Sequence, residues 1–321
     1  MVSKNLQSDF SNLSNNINSY EVSLLKTRIF FSSIILLCCI GAYPVFAQEG
    51  EVSEQPLTAP TFIKPETAEV PIIMYHLITK NSRYVGKHGI TPTELENDLK
   101  YLKDNGYETV VISDLIAFVR KGRNLPKKPI VLTFDDSNSS DYRYLYPLLQ
   151  KYDMKAVLSV LGYAVDECTE LSVKQKEPRI FPNSTWGQLK EMGQSKYIEL
   201  QNHSYNLHGA TGSARRKGES VENYHKRLKD DLTKMQHRIE EMTGIKPTAF
   251  TYPYGLISES SHEVLKELGF TASLSCYGGI INFLKENDLD CLFCLKRTNR
   301  PSGVPISTIL QKMQKPWTNP E

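Results

Sequence analysis

The 321-residue sequence contains no long basic run and no stripe of interleaved aromatic and basic residues, and its formal charge is only +2. That argues against a dedicated nucleic-acid binder, which needs a clustered basic face to meet phosphate. Cysteine is scarce, at six residues, and the close pair in Cys291-Leu292-Phe293-Cys294 has no second pair of matching spacing. No four-ligand zinc module can be completed from it. Alternating apolar positions instead make Leu292 to Leu295 read as a strand with small buried or disulfide-bonded side chains. Long apolar runs are also missing, with one exception from Ile29 to Phe46, which follows Lys26 and Arg28 and ends in Val45-Phe46-Ala47. About 18 apolar residues is near the minimum for spanning a bilayer. Residues 1–47 therefore read either as a secretory signal cleaved after Ala47 or as an uncleaved membrane anchor. Both readings put the rest of the chain outside the cytoplasm, secreted or held at the outer face of the membrane. Membrane contact is then confined to the N-terminal segment.

What is present is enough for one globular domain, with 40% hydrophobic and 23% charged residues. Residues 48–68 are rich in Glu, Pro and Thr without hydrophobic periodicity and read as a linker, leaving 69–321 for the domain. From there strand and helix patterns take turns. Strands are expected at Val70 to Tyr75, Thr109 to Ile112, Pro129 to Phe134, Ala156 to Val160, Tyr197 to Gln201, Thr248 to Tyr252, Thr271 to Ser275 and near Leu292 to Leu295. Helices are expected after Thr91 and Ser113, at Tyr142 to Tyr152, after Ser184, at Val221 to Thr243 and at Glu259 to Leu268. Gly162 to Phe181 has no clear period and reads as a loop. Such alternation means parallel strands joined by helical crossovers, and seven or eight units in one domain suggest an α/β barrel.

The chemistry is concentrated at strand ends. Thr133-Phe134-Asp135-Asp136 closes an apolar run, and where the chain turns both acids can face one cleft. Asn202-His203-Ser204-Tyr205-Asn206-Leu207-His208 follows another run and supplies two imidazoles five positions apart. One Asp with two His makes a three-ligand metal site with open positions, leaving the other Asp free as a base. Asn202 and Ser204 are candidates for orienting the imidazoles. His225 and His237 lie on a long charged helix and His88 and His262 have no motif around them, so none of these is singled out.

Together with Tyr252-Pro253-Tyr254-Gly255 and the opening Pro71-Ile72-Ile73-Met74-Tyr75-His76, these motifs resemble the polysaccharide deacetylases, carbohydrate esterase family four, over roughly Pro71 to Pro305. The opening His and the five-residue His spacing are most similar to the poly-N-acetylglucosamine deacetylase branch. The resemblance implies an irregular (β/α) barrel of about seven parallel strands. It also implies Asp136, His203 and His208 as metal ligands and Asp135 as the general base. The Leu295 to Arg300 region lacks the histidine many members use as acid, so the resemblance assigns that role to His76. Pro253 and Tyr254 would form a groove wall with a backbone N–H for the oxyanion. Trp186 is a further candidate for lining the sugar site, or a packing anchor. Thr251 stands where many members have an Arg that tethers the base, which leaves Arg297 or Arg300 for that task.

The implied cofactor is a divalent metal, best zinc for this ligand set, with nickel or cobalt fitting the same atoms. The implied substrate is an N-acetylated polysaccharide, an exopolysaccharide or peptidoglycan, with no nucleic acid and no protein partner. The alternatives are a catalytically silent carbohydrate-binding or scaffolding barrel, and a hydrolase of O-acetyl esters or cyclic amides using the same site.

Overall fold

The computed structural model describes residues 66–174 and 182–313. The expected leader and most of the expected linker lie outside those residues. No helix among the described residues is long and apolar enough to cross a membrane.

The strands are β1 (Thr67–Val70), β2 (Ile72–Tyr75), β3 (Leu77–Ile78), β4 (Gly89–Ile90), β5 (Glu108–Thr109), β6 (Pro129–Asp135), β7 (Ala156–Val160), β8 (Ile198–Asn202), β9 (Ala249–Thr251), β10 (Ala272–Leu274), β11 (Asn282–Lys285) and β12 (Thr298–Asn299). The main sheet runs β10-β9-β8-β7-β6-β2-β12, with β5 added beside β6. Every pairing in this sheet is parallel. It curls through 239° into a half-barrel. The segment leading into β12 draws the two edges together, because Leu295 bridges Leu274 of β10 while Thr298 and Asn299 pair with β2. Residues of β6 and β7 are buried throughout, as expected of strands covered on both faces.

The helices are α1 (Pro92–Asp104), α2 (Ile112–Lys121), α3 (Tyr146–Tyr152), α4 (Gly162–Val173), α5 (Trp186–Gly193), α6 (Val221–Thr243), α7 (Ser261–Glu267) and α8 (Ile306–Lys312). Their ends follow local chemistry. Thr91 and Glu94 form a capping box ahead of Leu95, Leu99 and Leu102, which all face the core. Ser220 caps α6, and Gly244 ends it in the left-handed conformation that glycine adopts without penalty.

Four expectations need correction. Gly162–Val173 is a helix, α4, where a loop is expected, and the rest of that expected loop, 175–181, lies outside the described residues; the buried face of α4 consists of Gly162, Ala164, Val165 and Cys168, too small and sparse to register as a period. The Cys291 segment is a single 3₁₀ turn at Leu289–Leu292, followed by Cys294 at a φ of 56°, and only Leu295 pairs with the sheet. All four described cysteines are free thiols. The expected strand at Thr109 to Ile112 is cut short because α2 begins at Ile112; the Glu199 carboxylate accepts from the N–H groups of Ile112 and Ser113 at 3.0 and 3.1 Å, which favours a helix start there. The linker yields its last residues to β1, where Thr67 and Ala68 pair antiparallel with Lys285 and Leu284.

Asp141, which opens a π-helix (Asp141–Leu145) after β6, is fully buried, and neither carboxylate oxygen has a hydrogen bond of ordinary geometry among the described residues. Burial pushes its carboxyl well up, Asp136 adds to the rise, and the Asn138 backbone offsets only part. A raised acid stabilises the fold below its unfolded pKa, roughly 4, and that stability is lost as pH rises toward the folded value. Asp141→Asn should therefore gain on the native protein by up to about 1.4 kcal/mol per pH unit above pH ~4. Chemical denaturation of metal-free protein from pH 4 to 7 measures this, and a pH-independent difference would show that Asp141 is ionised in the fold.

Candidate active site

His76 follows β2, Asp135 ends β6, His203 follows β8 and Tyr254 follows β9, so the C-terminal ends of neighbouring parallel strands deliver all four to one rim. With Asp136 and His208 they line a cleft of about 760 Å³. Behind it, the Tyr75 and Phe134 rings stack at 4.7 Å and 8°, fixing the strand ends that carry His76 and Asp135.

Asp136, His203 and His208 each offer a ligand atom, and these lie within 4.8 Å of one another. The two Nε2 atoms stand 3.6 and 3.2 Å from Asp136 Oδ1. That oxygen is buried without a hydrogen-bond partner among the described residues. His203 Nδ1 lies 2.8 Å from the Thr251 carbonyl, which only accepts, so Nδ1 carries the proton and Nε2 of the neutral ring presents a lone pair. His208 Nδ1 is 2.8 Å from the Tyr254 hydroxyl, whose hydrogen goes to the His208 carbonyl at 3.1 Å, giving the same tautomer. Three acceptor atoms facing inward, with an orphaned carboxylate oxygen among them, suit a divalent cation.

The charges agree with this. Burial alone would raise the Asp136 carboxyl, but His203 and His208 hold it far below the usual range. Burial would lower His203, yet Asp136 and Asp135 outweigh it and the imidazole is raised.

Asp135 points the other way. Burial would raise its carboxyl, but Arg297 and then His203 hold it at about 2. Arg297 is fully buried and grips both carboxylate oxygens, Nη1 to Oδ1 at 2.8 Å and Nη2 to Oδ2 at 2.9 Å. Its remaining N–H groups go to Ser275 O, Thr133 Oγ1 and Cys276 Sγ, so all five donors are used. His76 Nε2 lies 4.0 Å from Asp135 Oδ2, and its Nδ1 is buried without a partner among the described residues. Burial lowers the His76 pKa more than Asp135 and Asp136 raise it.

Some expected residues fall elsewhere. Arg300 does not reach Asp135; it grips Asp98 of α1 at 2.7 and 3.1 Å, where the Tyr75 hydroxyl also donates. Trp186 is buried at 1% exposure and donates Nε1–H to Asp166 at 2.7 Å, so it packs α5 and is not a wall of the cleft. Among the described residues neither Asn202 nor Ser204 hydrogen-bonds an imidazole; their side-chain oxygens accept from the backbone N–H groups of Ser204 and Leu207 and so shape the turn. Pro253 is buried at the start of a 3₁₀ turn in which Tyr254 takes a φ of 58°. The site also includes His88, whose ring meets His76 edge-on at 4.8 Å, and Cys276; neither stood in a motif.

Comparison with known proteins adds to this geometry. Residues 122–273 match the polysaccharide deacetylase family model. An Escherichia coli K12 protein named poly-beta-1,6-N-acetyl-D-glucosamine N-deacetylase is 27% identical over 295 residues, covering 84% of this chain and 42% of its own length. The chain thus spans less than half of that relative. Among solved structures, a Streptococcus pyogenes deacetylase in complex with acetate superposes with a TM-score of 0.63 at 23% identity, over 77% of this chain and 99% of that one. A de-N-acetylase from Aggregatibacter actinomycetemcomitans gives 0.62 at 26%, over 76% and 99%. The half-barrel, the ordered motifs at its strand ends and these likenesses agree that residues 122–273 carry a polysaccharide deacetylase domain.

Proposed function

We propose that this chain is a metal-dependent hydrolase that removes N-acetyl groups from a polysaccharide containing N-acetylglucosamine, acting outside the cytoplasm. The observation that carries this reading is the convergence of Asp136, His203 and His208 beside an arginine-held Asp135, with His76 4.0 Å from that carboxylate. The names of the E. coli relative and the Aggregatibacter structure support the same chemistry.

Asp136, His203 and His208 would hold the cation, and zinc suits this donor set, with nickel and cobalt as alternatives. When bound, such a cation polarises the acetamide carbonyl and acidifies the attacking water, which suits a base as weak as Asp135. Asp135, ionised at neutral pH and fixed by Arg297, takes a proton from that water as it attacks the carbonyl carbon. His76, which lines the same cleft, in its protonated form gives its proton to the amide nitrogen as the C–N bond breaks and acetate and amine separate. Tyr254 lines one wall of the cleft, and its backbone N–H would donate to the developing oxyanion.

Incubating the chain with divalent ion and N-acetylglucosamine oligomers, and assaying acetate and primary amine together, tests the reading. Equal amounts of both are expected. Acetate without new amine from an O-acetylated substrate, with N-acetylated oligomers untouched, would mean ester hydrolysis instead.

A further inference from the structure

We propose that the exposed apolar strip on the loops after β9 and β10 binds further sugar rings of a glycan chain, with Tyr277 as its main contact. The identity of the ligand rests on the deacetylase reading above, and the strip extends that reading from the reacting sugar to its neighbours.

The two loops meet at Gly255, which has a φ of 67°. A Cβ there would lie 2.9 Å from Cys276 Cβ and 3.0 Å from its backbone nitrogen, so only glycine permits the contact. Tyr254 and Cys276 both line the cleft, and the contact between the loops is therefore at its wall. Around it Tyr254, Leu256, Tyr277 and Ile280 are 55, 38, 57 and 38% exposed, half of the large apolar side chains that the described surface leaves open. Such a cluster at the edge of a cleft marks a contact surface.

The Tyr277 loop is held still. Arg297 N–H donates to the Tyr277 carbonyl at 2.9 Å, and Gly279 N–H to Thr298 Oγ1 at 2.9 Å. Gly278 lies so close to the Arg297 carbonyl that a Cβ would approach it to 2.9 Å. The Lys296 ammonium sits 5.3 Å from the Tyr277 ring centre. A ring presented on fixed backbone loses little freedom on binding. One face of a pyranose is lined by C–H groups and its rim by hydroxyls, which matches a tyrosine with an apolar body and a polar tip. Four side chains cover far less than the ~1,200 Å² of a standard protein–protein contact, which favours a narrow chain over a protein partner.

The test compares binding and turnover across chain length, from the N-acetylglucosamine dimer to the hexamer, in native protein, Tyr277→Ala, Tyr277→Phe and a control at another exposed aromatic, Phe283→Ala on β11. Calorimetric Kd and KM for the hexamer should rise about tenfold in Tyr277→Ala. The dimer should change less than about twofold, kcat should hold, and Tyr277→Phe and Phe283→Ala should behave like the native protein. Unchanged hexamer binding in Tyr277→Ala, or an equal loss for dimer and hexamer, would overturn the platform. If the native protein bound oligomers with this length dependence but released no acetate, the deacetylase reading would fall and the platform would stand.

Discussion

Replacing Asp135 by Asn should lower kcat by about 10²–10⁴-fold, the range for loss of a positioned general base, and should leave metal content unchanged, because the proposed ligands Asp136, His203 and His208 remain. The amide keeps the shape of the carboxylate but cannot accept the water proton, so KM should move little. Steady-state kinetics with metal analysis of the same preparation check both halves. A variant that loses metal along with activity would place Asp135 among the ligands instead.

Arg297→Met should destabilise the protein by about 3–5 kcal/mol, the usual cost of leaving a buried charge without its partner. Asp135 is 1% exposed and takes both its short cationic contacts from this one guanidinium. Arg297→Lys should recover little, since a single ammonium cannot reproduce the two-pronged grip or serve Ser275, Thr133 and Cys276 together. The double variant Asp135→Asn/Arg297→Met should lose clearly less than the sum of the single losses, because the stranded charge is gone. Urea unfolding of the four proteins measures this coupling, and additive losses would mean that the pair contributes nothing as a pair.

How much of this could be read from sequence depends on which physical signal each residue carries. Asp135, Asp136 and His203 were legible because they sit at or just past the ends of apolar runs, and parallel strands deliver their ends to one rim; His208 was legible by its spacing, five positions after His203. Arg297 and Arg300 were not distinguishable, since both leave the same short segment and only the folded register sends one to Asp135 and the other to Asp98. The group that sets the His203 tautomer is a backbone carbonyl, Thr251, and no residue type encodes that. Trp186 was ambiguous for a related reason. Its partner, Asp166, lies on α4, and that helix was hidden by small buried residues. Asp141 gave no signal at all, because its importance lies in a missing partner, visible only after packing.

The central claim is that Asp136, His203 and His208 hold a catalytic metal ion while Asp135 does chemistry beside it. Metal content and acetate release, measured on chelator-stripped native protein titrated with zinc and on His203→Ala treated identically, test it most directly. The account predicts no activity in the stripped protein, full recovery near one zinc per chain, and neither tight binding nor recovery in His203→Ala. Full activity in the stripped native protein, or stoichiometric zinc and native turnover in His203→Ala, would contradict it.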